Sequence, residues 1–353
     1  MRKNDIITLT IHSYQQDGFG VGRSEEGLVV FVPNTAVGET WEVRIVKVLS
    51  KLAYGKAERL ITASPDRIEN DCPSFPACGG CAFRHISYES ELAYKKSVVE
   101  NALLRIGGIA PGPFPIYGAP TTYAYRNKAV YPLGIQKGDV VYGFYRTGSH
   151  KLVPATVCKI QPEEAGKAAE AVCEYMKEAG LAPYNEETRT GHIRYVMVRV
   201  AEMTGEVLVC LITACKSLPA KEKLAERLKM AVPGLASLYQ SVNADPGNRI
   251  LGKELKLLWG KPRITDRLDG LSLSFGPESF YQVNRAQCEV LYSKVLEFAG
   301  QGTDIHNLNI LDLYCGIGSI TLYLSRHCKK AVGVEVVAGA VEHVAQAGGH
   351  RRA

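Results

Sequence analysis

The sequence predicts a multidomain α/β protein. It should have a small N-terminal β-barrel, a mixed α+β middle and the opening of a doubly wound, nucleotide-binding type of sheet at its C-terminal end. Three features point there. Residues 1–60 alternate apolar and polar positions in short runs punctuated by glycine. A loop rich in proline and glycine follows, holding three cysteines. Near the end, Asn309–Ser325 runs from an apolar stretch through a glycine loop into a helical pattern, and a second apolar stretch closes on Glu335.

The barrel comes first. Alternation marks Ile6–Ile11, Leu28–Val32, Trp41–Val48 and Lys56–Ile61 as strands. Closure is the natural way to bury such short strands without exposed edges. Ser64–Gly80, with three prolines and three acidic residues, reads as a loop. Ser90–Ile106 has helical spacing and stops at Gly107 and Gly108. From Tyr123 to Cys215 strands dominate, with Val140–Tyr145 as one hairpin arm and Ile193–Val200 paired to Glu206–Thr213. Helices are expected over about Pro162–Ala179 and Ala220–Met230, and a strand over Leu271–Phe275. Asn284 is placed to cap a helix running to about Phe298, by accepting from its first free amides.

At 353 residues the chain has room for two or three domains, and 46% hydrophobic residues supply ample core. No apolar run reaches the ~18 residues that cross a bilayer. The N-terminus lacks the apolar core of a signal peptide, so a cytoplasmic, reducing location is expected for the ten cysteines.

Cys72, Cys78 and Cys81 follow the spacing C-x5-C-x2-C, interrupted by Pro73, Pro76, Gly79 and Gly80. Thiolates converge on one metal only if the backbone turns tightly, and Pro and Gly make it turn. A fourth ligand must come from elsewhere, and Cys158 is the nearest candidate. Zinc and iron–sulfur both suit such a set, although structural zinc usually uses two close cysteine pairs. Cys173, Cys210, Cys215, Cys288 and Cys328 sit in helical or strand patterns and read as core.

The net charge of +6 is unevenly placed. Thr121–Ile160 carries Arg126, Lys128, Lys137, Arg146, Lys151 and Lys159 against Asp139 alone, interleaved with Tyr123, Tyr125, Tyr131, Tyr142, Phe144 and Tyr145. Cations neutralise phosphates and aromatic rings stack on bases, so this composition suits a nucleic-acid surface; tyrosines alternating along strands also simply pack.

In the C-terminal motif Asp312 precedes the loop Cys315–Gly318, and Glu335 lies nineteen residues beyond Gly316. Glycines let a cofactor approach the backbone, and the following helix adds its dipole. An acidic residue ending the next strand binds ribose hydroxyls. The set points to an adenosyl cofactor. The absence of a longer G-x-G-x-x-G leans toward S-adenosylmethionine over NAD.

Taken together, these residues resemble the RNA 5-methyluridine methyltransferases, specifically the bacterial 23S rRNA uracil-C5 enzymes with a [4Fe–4S] cluster. The resemblance runs to about Ala345. It implies a TRAM domain, an OB-like RNA-binding barrel, over residues 1–62. It implies a central iron–sulfur and RNA-binding domain over 63–265 and an incomplete Rossmann-like methyltransferase domain over 266–353, on which the helix at about 90–106 packs. Cys72, Cys78, Cys81 and Cys158 match the cluster motif. Tyr125–Lys128 resembles the segment near the substrate, and Phe280–Asn284 with Asp312–Gly316 resemble the cofactor motifs. By resemblance Gln282, Tyr314 and Glu335 contact S-adenosylmethionine, Gln282 at its methionine end and Glu335 at its ribose.

The reaction needs more. Uracil C5 is a poor nucleophile until a cysteine thiolate adds to C6; C5 then attacks the sulfonium methyl, and a base removes the C5 proton as the thiolate leaves C6. By resemblance both groups lie downstream of the second cofactor strand. Ala338–Ala353 begins like the family's next helix and drifts into Gly, Ala and Arg. The expectation is therefore a C-terminally truncated, inactive chain with no catalytic residue of its own. Cys315 and Cys288 are weak substitutes as nucleophiles. RNA, most readily rRNA, is the expected partner, with no membrane and no obligate protein partner. The alternative is an inactive RNA-binding iron–sulfur protein. A radical methylthiotransferase ranks last, because it needs C-x3-C-x2-C.

Overall fold

The computed structural model describes residues 1–336, so the expectation for Ala338–Ala353 lies outside the described residues. The chain divides into two compact units. The first comprises Met1–Gly118 with Tyr145–Lys151, and the second Ala119–Phe144 with the chain from Leu152 onward.

The first unit opens with five strands, β1 (Ile6–Tyr14), β2 (Gly20–Arg23), β3 (Val29–Val32), β4 (Thr40–Val48) and β5 (Leu52–Thr62). They close a barrel in the order β1-β2-β3-β5-β4. The alternation seen in sequence is the barrel's inside: Leu9, Ile11, Val30, Val32, Val43, Ile45 and Ala53 form its buried core. Beside it the Arg67 guanidinium grips the buried Glu39 carboxylate in a two-pronged contact, one prong at 2.8 Å. Burial alone would raise the Glu39 pKa, but Arg67, the Ala36 N–H and the Trp41 indole outweigh it and hold it below the usual carboxylate range.

Helix α1 (Tyr88–Asn101) starts at Ser87, whose hydroxyl accepts from the Ser90 N–H at 3.2 Å. The sequence predicts an α-helix to Ile106. Instead the last turn, Ala102–Ile106, widens to a π-helix, and the Gly107 N–H closes it on the Ala102 carbonyl at 3.0 Å.

The second unit is built on a seven-stranded sheet in the order β12-β11-β10-β9-β6-β7-β8. Its strands are β6 (Lys128–Gln136), β7 (Asp139–Tyr145), β8 (Leu152–Pro154), β9 (Ile193–Val200), β10 (Val207–Thr213), β11 (Leu235–Val242) and β12 (Glu254–Gly260). Helices α2 (Glu163–Glu178) and α3 (Lys221–Ala231) come between them. β10 shows how both faces are covered. Its period of two sends Val207, Val209 and Leu211 into a core with α2 and α3. Leu208, Cys210 and Ile212 go into a second core with the hairpin β13 (Ile264–Leu268) and β14 (Leu271–Phe275). That second core also takes Cys288 and Tyr292 from α4 (Arg285–Ala299) and Leu322 and Tyr323 from α5 (Ser319–Ser325). Asn284 caps α4 as expected, accepting from the Gln287 N–H at 3.1 Å. Last come β15 (Asn309–Leu313) and β16 (Lys330–Val334), paired in parallel around α5.

Candidate functional site

The loop from β15 into α5 is shaped by its own backbone. Gly316 and Gly318 have φ of 57° and 71°, and Tyr314 shares the left-handed region at 61°. The Cys315 N–H donates to the Val334 carbonyl at 3.0 Å, tying the loop to the end of β16. The Gly316 N–H donates to Glu335 Oε2 at 2.9 Å. Asp312 Oδ2 accepts from the Thr321 hydroxyl at 2.6 Å, which anchors α5 back onto β15. Gly333 makes room for all this: a Cβ there would lie 2.8 Å from Cys315 Sγ and 2.9 Å from Thr321 Oγ1. Tyr314 is 86% exposed at the tip. Asp312, Tyr314 and Glu335, picked from the sequence, therefore share one short loop at the carboxyl ends of two parallel strands, where doubly wound sheets bind ligands.

Gln282 is positioned from another direction. Its carbonyl accepts from the Asn127 side-chain amide at 2.7 Å, and the Val283 carbonyl accepts from the Asn127 N–H at 2.9 Å. Arg126 bridges Asn284 in antiparallel fashion. The two segments singled out in sequence, Tyr125–Lys128 and Phe280–Asn284, thus lie side by side. Upstream, the buried Arg199 donates to the Pro277 carbonyl at 3.3 Å and also to that of Ser279. Sequence reasoning missed Arg199. Its only signal was a charged residue inside an apolar strand, which needs a buried set of acceptors. Burial, with Arg199 and Arg126 adding like charge, lowers the Lys128 pKa to about 8.

The two thiols weighed as nucleophiles are poor ones. Burial pushes the pKa of Cys288 up, and burial with the Asp312 carboxylate does the same for Cys315.

Cys72, Cys78 and Cys81 lie in the first unit, and Cys158 in the second. The cysteine loop is made of turns. The Phe75 N–H donates to the Cys72 carbonyl at 3.1 Å and the Cys78 N–H to that of Ser74 at 2.8 Å. The Gly80 N–H points at Cys78 Sγ, at 3.3 Å. Among the described residues no three His, Cys, Asp or Glu side chains are gathered closely enough to hold a metal ion. Among them, too, no helix is long and apolar enough to cross a membrane.

Known proteins match both parts of the chain. Residues 2–57 match the TRAM domain, and residues 87–348 match the family described as tRNA (Uracil-5-)-methyltransferase. An uncharacterized RNA methyltransferase of Halalkalibacterium halodurans is 39% identical over 343 residues, covering 97% of this chain and 74% of the relative. One from Clostridium tetani is 38% identical with the same coverage. Among solved structures, the tRNA (uracil-54, C5)-methyltransferase of Pyrococcus abyssi in complex with S-adenosyl-L-homocysteine superposes with a TM-score of 0.73 at 26% identity. That match covers 96% of this chain and 75% of the other. The chain belongs to the family of RNA uracil-5-methyltransferases, with a TRAM domain ahead of the methyltransferase part.

Proposed function

We propose that this protein binds S-adenosylmethionine on the loop after β15 and serves methylation of uridine C5 in RNA, with 23S rRNA as the first substrate to test. The observation that supports this best is the Asp312–Gly318 loop between two parallel strands, with Glu335 held against the Gly316 N–H. The cofactor, when bound, supplies an electrophilic methyl group. Glu335 accepts from its ribose hydroxyls, Gln282 binds its methionine end, and Tyr314 packs on it. Arg126 and Lys128 meet RNA phosphates beside Gln282. A second substrate class, tRNA, is favoured by the relative from Pyrococcus abyssi.

A thiolate and a base must act on the uracil ring, and we assign neither to a described residue. Cys288 is buried in the second core and Cys315 stays a thiol. We expect the protein to bind both the cofactor and RNA. The binding test titrates S-adenosylhomocysteine: Glu335→Ala should weaken it on the order of tenfold, about the worth of one charge-assisted hydrogen bond. Wild-type protein that shows no saturable binding would refute the cofactor site. Incubation of 23S rRNA and tRNA with methyl-labelled S-adenosylmethionine tests the rest. Label at uridine C5 would identify the substrate, and label elsewhere than uridine C5 would overturn the proposed target.

The same proposal includes a [4Fe–4S] cluster on Cys72, Cys78, Cys81 and Cys158. Three soft donors on a turning loop, one already accepting an N–H at sulfur, suit iron–sulfur chemistry. Cys158 enters by the sequence resemblance alone. Anaerobically purified protein should carry about four irons per chain. Cys158→Ser should lose them. Cys173→Ser should not, since that thiol is buried in the core on α2 with its pKa pushed up to about 12. Colourless protein with stoichiometric zinc would defeat the cluster.

A further inference from the structure

Three stretches far apart in sequence meet at one buried residue, Asn127. Its N–H donates to the Val283 carbonyl at 2.9 Å, and its own carbonyl accepts from the Val200 N–H at 2.9 Å. Its side-chain amide donates to the Gln282 carbonyl at 2.7 Å. A carbonyl only accepts, so the group facing it has to be the NH2, and no carboxylate can take that place. Asn127 is therefore fixed to the central sheet on one side and to the backbone of Gln282 and Val283 on the other.

Its sequence neighbours are two cations, Arg126 and Lys128. Among the described residues neither Arg126 nor Lys128 forms an ion pair. The burial pattern along 126–128 is half-buried, buried, half-buried, as expected when successive residues face opposite ways. Arg126 also bridges Asn284, the cap of α4. The backbone that carries the cations and the backbone that carries Gln282 are thus one hydrogen-bonded element. Arg199 fixes its upstream end through Pro277 and Ser279.

We infer that Asn127 is a positioning residue that couples RNA binding to cofactor binding, by holding the Gln282 backbone to the backbone that carries Arg126 and Lys128. The inference rests on the function proposed above. Both ligands engage this one hydrogen-bonded element, so the arrangement that one favours is the arrangement the other meets. Coupling of this kind is reciprocal: RNA tightens the cofactor by the factor by which the cofactor tightens RNA.

The test uses the full chain, S-adenosylhomocysteine and a uridine-containing stem–loop RNA, with calorimetric titration of each ligand in the absence and presence of the other. Wild-type protein should bind S-adenosylhomocysteine on the order of fivefold or more tightly with RNA present, with the same factor in the reverse titration. Asn127→Asp keeps the size but sets an oxygen against the Gln282 carbonyl, and Asn127→Ala removes the donor. Both should bring the factor close to one. A purely structural role would weaken both ligands yet leave the factor unchanged, and that result in either variant overturns the inference. So does a factor of one in the wild type, whatever the variants do. If both ligands bind but ignore each other, only the coupling is lost. If S-adenosylhomocysteine does not bind at all, the cofactor reading falls and the coupling with it.

Discussion

The barrel and the β15–β16 pair are both made of short alternating strands, yet they end up in opposite situations. In the barrel every inward position is sealed: Leu9, Ile11, Val30, Val32, Val43 and Ile45 are all buried, and β4 returns to β1 so that no edge remains. Among the described residues β15 and β16 pair only with each other. Leu311 and Leu313 are 60% and 58% exposed there, while α5 covers the opposite face. Closure makes a small sheet self-sufficient. An open pair depends on what packs beside it.

The largest effect should come from the barrel's polar lock. Glu39→Ala takes from the Arg67 guanidinium, the Ala36 N–H and the Trp41 indole N–H the carboxylate they share. It should cost about 2–3 kcal/mol, at the low end for a buried pair because Arg67 keeps some solvent. Thermal unfolding of the barrel, followed by near-ultraviolet circular dichroism at Trp41, measures it. A change under about 0.5 kcal/mol would mean that closure alone holds the barrel. The lock also has a pH signature. The Glu39 pKa is lower folded than unfolded, so its contribution is complete above the unfolded carboxylate pKa and is lost as pH falls through the folded value. Wild-type stability should therefore drop more steeply on acidification than that of Glu39→Gln.

Next in size is Gly333→Ala. The added methyl meets Cys315 Sγ and Thr321 Oγ1, so the Asp312–Thr321 hydrogen bond must give way. About 1–3 kcal/mol of local stability should disappear. Hydrogen exchange should show faster amides at Cys315 and Gly316, with barrel amides unchanged. Equal acceleration in both regions would mean that they do not unfold separately.

The smallest effect in stability is expected from Leu313→Lys, within about 0.5 kcal/mol, because the side chain it replaces is already largely in water. It should still raise the protein concentration at which light scattering appears, because charge on an open strand blocks edge pairing. Unchanged scattering would show that this pair is not the sticky part of the chain.

Where local chemistry decides, the sequence was readable. Alternation announced the barrel strands, and Asn284 announced the start of α4 through a cap that needs one side chain and one amide. The loop after Asp312 was visible from glycines whose positive φ few other residues adopt. The π-turn at Ala102–Ile106 was not, since its residues suit an α-helix equally well. Nor were β11, β12 and β13 picked out. β13 is followed by a tight Asp269–Gly270 turn into the one arm that was seen, and Gly270 has φ of 75°.

By itself the sequence determined the family, the barrel's inward face and the shape of the loop after Asp312, because each is written in short local motifs. Only the tertiary structure decided that Asn127 would hold Gln282, that Arg199 would fix the loop before it, and that β10 would serve two cores at once. These contacts join residues 155, 80 and more positions apart. No periodicity or spacing encodes such pairs; they exist only once the sheet has ordered its strands and buried both faces.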